Sequence, residues 1–129
     1  MWLGRWIKSC AVLALLLPSA GAQRAPVAHD VTLRPTVGGV VVQATFPARD
    51  RGGDALQNVW VAGARAKLLV CRPRCKTADS VPVSGTLVLG RQTPYRVVLG
   101  GEYARGQRVG LLFSFRSGVS SAEAVVVRP

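Results

Sequence analysis

The chain has 129 residues, 49% of them hydrophobic, with 17 Lys and Arg against 6 Asp and Glu for a formal net charge of +11. That apolar fraction excludes a disordered polyelectrolyte, and the length confines any core to about one domain. With one histidine and six carboxylates, a Ser-His-Asp or Cys-His arrangement would have to use His29, and no strand-to-helix phosphate loop is in sight, so the chain reads as non-enzymatic.

At the start, Arg5 and Lys8 precede an apolar run from Cys10 to Leu17, and Pro18-Ser19-Ala20-Gly21-Ala22 follows. A basic end, a short apolar run and small residues at Ala20 and Ala22 predict a secretory signal peptide, residues 1–22, cleaved after Ala22. Eight apolar residues are too few for a membrane span, which needs about 20. Cys10 follows Lys8-Ser9 rather than the small and aliphatic residues of a lipoprotein box. Residues 23–129 then form a single domain, soluble after cleavage and located in the periplasm or secreted. Its charge is +9, because the segment removed carries Arg5 and Lys8 and no acid. Thirteen of the fifteen remaining basic residues are Arg, a balance that suits a protein partner or an anionic envelope component. They are scattered, with no basic run interleaved with aromatics, so nucleic acid is not expected.

Gln23 to His29 reads as an extended leader. Val31 and Leu33 against Thr32 make a short first strand, which Pro35 ends or pushes to a sheet edge. Gly38-Gly39 turns the chain, and Val42, Ala44 and Phe46 then alternate with Gln43 and Thr45 as a strand. Pro47 to Asp54, PARDRGGD, is an exposed loop. Leu56–Ala62 and Arg65–Cys71 follow as strands, with Trp60 expected to be buried because Trp is highly buried on average. Three further runs alternate, Leu87/Leu89, Tyr95/Val97/Leu99 and Val109/Leu111/Phe113/Phe115, with Gly or Pro in each gap. Glu102 to Arg105 reads as a turn with Tyr103 exposed, Ser117 to Ser121 as a polar connection, and Ala122 to Val127 as the last strand. No segment shows a sustained 3.6-residue period. The expected fold is all-β, an immunoglobulin-like or Greek-key sandwich of about eight short strands.

The residues with chemical potential cluster in Cys71-Arg72-Pro73-Arg74-Cys75. Two cysteines four apart around a proline-containing turn face each other across a hairpin mouth, within disulfide reach, and export would place them in an oxidising compartment. A structural disulfide is the first reading. The alternatives are a soft thiolate pair for Cu(I) or another thiophilic metal and, less in keeping with the spacing, a redox-active pair. His29 is a further candidate metal ligand, and Arg72, Arg74 and Arg96 are the candidate partner-binding residues.

The stretch VPVSGTLVLGRQTPYRVVLGG, followed by RGQRVGLLFSF and AEAVVV, resembles the second half of the PCuAC family of periplasmic copper chaperones. In that family a strand and a Gly-rich turn lead to a tyrosine and a histidine-methionine pair, and a run of the type G-D-x-V-x-L-x-F follows. Upstream, VTLRPTVGG and the loop before Leu56 look like the family's first strand and its loop. The resemblance covers nearly the whole of 23–129 and implies a periplasmic sandwich concerned with metal trafficking, with copper as its cargo. Where the family has its histidine and methionine, this chain has Arg96 and Val98, and the ligand-bearing segment upstream is shortened to the Cys71–Cys75 turn. Residues 23–129 contain no methionine. Cu(I) prefers thiolate, thioether and imidazole donors, which here leaves Cys71, Cys75 and His29.

Overall fold

The computed structural model describes residues 25–48 and 53–128. The expected signal peptide, 1–22, and residues 49–52 of the polar loop lie outside the described residues. The described residues hold ten strands and no helix. These are β1 (His29–Thr36), β2 (Gly39–Phe46), β3 (Asp54–Trp60), β4 (Ala66–Cys71), β5 (Cys75–Thr77), β6 (Val81–Val83), β7 (Leu87–Leu89), β8 (Tyr95–Gly100), β9 (Arg108–Phe115) and β10 (Gly118–Val126).

The strands join in one path, β5-β4-β8-β2-β1-β10-β9-β3-β6, with β7 beside β2. All pairings are antiparallel except β1 with β10, where Thr32 faces Val125 and Leu33 faces Val126. Phe46 on β2 meets Phe113 and Phe115 on β9, with ring centroids 5.0 and 5.1 Å apart in edge-to-face geometry. In a flat sheet strands three places apart would stand about 14 Å away from each other. The sheet therefore curls until its two halves face each other, and the sandwich is one sheet closing on its own apolar face.

Period-two patterning decides which side chains reach that interior. On β2, Val42, Ala44 and Phe46 are buried while Gln43 and Thr45 are half-buried, and on β9 Val109, Leu111, Phe113 and Phe115 are buried against an exposed opposite face. Leu33, Leu56, Val81, Leu89, Val97, Leu99 and Val126 complete the centre. Burial of each such side chain contributes about 1.5–3 kcal/mol, and no polar or charged residue is buried among the described residues.

Several elements differ from the expectation. Ten strands replace about eight because Cys75–Thr77 and Val81–Val83 are three-residue strands at the two ends of the path. Pairing to a neighbour makes them strands, where their own composition does not. Trp60, expected inside, is 59% exposed. Alternation sends Val59 inward, so Trp60 stands beside Leu112 on the uncovered face. Tyr103, expected exposed, is half-buried against the core, and its hydroxyl donates to the Gly100 carbonyl at 3.2 Å. The ring covers Gly101, whose φ of 114° suits glycine. The last strand starts at Gly118 rather than Ala122, because Arg116-Ser117 forms a tight hairpin turn with β9. His29 is not in a leader; it opens β1 opposite Thr45. Pro35 lies within β1, opposite Val40, beyond the two residues that β10 pairs, so its missing N–H leaves no ladder bond unmade there.

Candidate functional site

β7 and β8 both run antiparallel to the same edge of β2, at Ala44–Phe46 and at Gly39–Val41. Between them the chain leaves that edge in an excursion, Gly90–Pro94, before β8 begins beside β4. Thr93 ties the excursion down, its hydroxyl donating to the Tyr95 carbonyl at 2.6 Å. The Cys71 N–H donates to the Pro94 carbonyl at 2.7 Å, so the tip of the β4–β5 hairpin sits against this excursion.

Cys71 pairs with Cys75 across the hairpin, and the two sulfurs are bonded, with alpha carbons 3.8 Å apart. The disulfide closes the three-residue tip Arg72-Pro73-Arg74, in which the Arg72–Pro73 peptide is cis and the Arg72 N–H donates to the Arg74 carbonyl at 3.2 Å. The Arg72 guanidinium carbon lies 5.3 Å from the centre of the Tyr95 ring, a stacking distance at which the ring face attracts the cation. Arg74 is exposed. Arg96, the residue after Tyr95, donates from Nε to the Thr93 carbonyl at 2.9 Å. The three candidate partner-binding arginines are thus carried by the tip and the β8 strand it leans on. Arg72 and Arg96 are each held by a contact within the chain. The one ion pair among the described residues, Arg108 to Glu123 at 3.4 Å, involves neither of them.

His29 is not part of this constellation. It begins β1, opposite Thr45 of β2 and two strands from β8, and no group of three or more His, Cys, Asp or Glu side chains among the described residues could hold a metal ion. The donor chemistry agrees, since a disulfide offers no thiolate for Cu(I) and Arg96 and Val98 offer no lone pair of the kind copper takes. The residues present in this state do not fit a copper site.

A cleft of about 260 Å³ lies beside the tip, lined by Pro82, Val83 and Ser84–Val88 on one side and by Thr93, Pro94 and Tyr95 on the other. Sequence reasoning found the cysteines and arginines but missed Tyr95 as the partner of Arg72, and missed the cleft. The stack depends on the register Val70↔Tyr95 between β4 and β8, and the cleft on where the Gly90–Pro94 excursion leaves β7; no local pattern encodes either.

The fold and this end of it define a small β-sandwich with loops gathered beside a disulfide-closed hairpin. No protein-family model matches the chain, and no curated protein matches it. Among solved structures it is similar to the apo PCuAC domain from PmoF1, with a TM-score of 0.61 at 17% sequence identity over 79% of this chain and 92% of that one. The chain has a PCuAC-like fold, in keeping with the order of strands and turns in its sequence.

Proposed function

We propose that this chain is an exported, non-enzymatic accessory protein, copper-chaperone-like in architecture, that acts outside the cytoplasm by docking a partner rather than by closing a copper site of its own. The Cys71–Cys75 disulfide carries the reading, because it consumes both thiolates in the region where the resembled family places ligands. The arginines on and beside the same hairpin supply a surface for docking instead. The test is an anaerobic Cu(I) titration of the protein purified without reductant, with a separate sample treated with a thiol-alkylating reagent. The treated sample is expected to be unmodified at Cys71 and Cys75, and the untreated one to take up no more Cu(I) than the Cys71→Ser/Cys75→Ser double variant. Alkylated cysteines, or copper retained through purification and lost in the double variant, would refute it.

A second reading has one observation in its favour. The cysteines lie at the mouth of an exposed edge hairpin, where reduction would release two thiolates four residues apart. In that reading the pair takes Cu(I) only when reduced, and the reduced protein would gain copper binding that the oxidised one lacks.

A further inference from the structure

The cleft beside the disulfide hairpin has a composition of its own. Pro82, Val83, Leu87, Val88, Pro94 and Tyr95 give it an apolar lining, and Val88 is 46% exposed. Two of its lining residues each hold an arginine, Tyr95 through the stacked Arg72 and Thr93 through the bond its carbonyl accepts from Arg96. The charge carried by the hairpin tip and the excursion is one-sided: Arg72, Arg74 and Lys76 follow one another with no acid between them, and the excursion adds Arg91.

An arginine fixed by stacking keeps the edge of its guanidinium available while losing the rotamer freedom that binding would otherwise remove. The planar fork matches a carboxylate with two parallel hydrogen bonds. An apolar trough beside such forks suits a chain that alternates apolar and acidic side chains, since an extended segment sends successive side chains to opposite sides. Taking the docking reading above as its basis, we propose that this cleft binds an acidic, extended segment of a partner protein, apolar residues seated against Tyr95, Pro94 and Val88 and a carboxylate paired with Arg72. Charge complementarity selects the occupant, and the closed hairpin keeps Arg72 over Tyr95 before the partner arrives.

The experiment is fluorescence anisotropy of the full oxidised chain with a labelled, end-capped peptide of alternating Glu and Val, six residues long. A second peptide carries Gln in place of Glu, and anionic phosphatidylglycerol vesicles are tested in parallel. The Glu peptide should bind at least tenfold more tightly than the Gln peptide. Arg72→Gln should weaken binding at least fivefold, and so should Tyr95→Leu, whereas Tyr95→Phe, which keeps the ring, should bind as the parent does. Arg72 is exposed, so its variant folds even where Tyr95→Leu does not. Arg108→Gln, at the ion pair with Glu123 and far from the hairpin in strand order, serves as the charge control. Equal affinity for the two peptides would overturn the proposal. So would an equal loss in Arg108→Gln, or binding to vesicles without binding to the peptide. Copper uptake through the cysteine pair would refute the metal-free reading alone, and the peptide titration would still decide the cleft.

Discussion

Replacing Phe46 by Ala tests whether the curl of the sheet is what holds this protein together. Phe46 is fully buried, and it is the ring that joins β2 to β9 across the interior through Phe113 and Phe115. A buried Phe→Ala change costs about 3–5 kcal/mol in lost transfer energy and residual cavity. Each edge-to-face pair adds about 0.5–1.5 kcal/mol beyond area burial, so the upper part of that range applies here. Domains of this size are stable by about 5–15 kcal/mol, and one substitution therefore removes about a quarter of the total or more. At a urea dependence of about 1.5 kcal/mol per M, the unfolding midpoint followed by circular dichroism should fall by roughly 3 M. Trp60→Ala, on the open face beside Leu112, should cost less than about 1 kcal/mol, the worth of one cross-strand pair. A Phe46→Ala midpoint within about 0.5 M of the parent's, or a Trp60→Ala loss as large as that of Phe46→Ala, would refute the assignment of inner and outer faces.

Three further substitutions probe separate parts. Cys71→Ser/Cys75→Ser opens a loop of sequence separation 4, for which chain entropy gives about 2 kcal/mol at most. Because β5 is exposed throughout and ends the sheet, much of that loss should appear as faster amide exchange in Cys75–Thr77 rather than as a lower global midpoint. Gly39→Ala would drive its Cβ into the Leu99 carbonyl of the paired strand, and the expected result is a loss of more than about 3 kcal/mol or no folded protein at all, read by thermal melting. Asp54→Ala removes the carboxylate that accepts from the Ser117 hydroxyl at 2.6 Å and from the Ser117 N–H at 3.2 Å. It should cost about 1–2 kcal/mol in the same melt, with exchange rising at the Arg116-Ser117 turn.

The core was written plainly in the sequence. Val42/Ala44/Phe46 and Val109/Leu111/Phe113/Phe115 alternate without interruption, so one pleated face had to be interior whatever the topology. What alternation does not carry is the identity of the neighbour. Cys75–Thr77 is polar and wholly exposed, and it is a strand solely because β4 offers it a partner. Trp60 misled for a related reason: its size argued for burial, yet its parity with Val59 settled the face. At the candidate site, the cysteine spacing announced the disulfide, since opposed hairpin positions bring sulfurs together without help from distant residues. The Arg72–Tyr95 stack and the cleft required the β4–β8 register and the excursion at Gly90–Pro94, which are properties of the assembled sheet. Comparing strand order with the PCuAC family anticipated the fold while the ligands it would have supplied are replaced by Arg96 and Val98.

The parallel contact of β1 with β10 has a consequence for the timing of folding. β10 is not an appendage; it lies between β1 and β9 and bridges the two halves of the sheet. A chain made or threaded from its amino end can pair β1 with β2 early, but it cannot bring the halves together until β10 arrives. Such non-local closure belongs to the slow, millisecond-to-second class of small β proteins. During the wait, the apolar faces of β2 and β9 stand open in a half-built sheet. This architecture therefore favours a chain kept unstructured until β10 is free, and it makes β10 the segment whose loss would leave the earlier strands without a way to close.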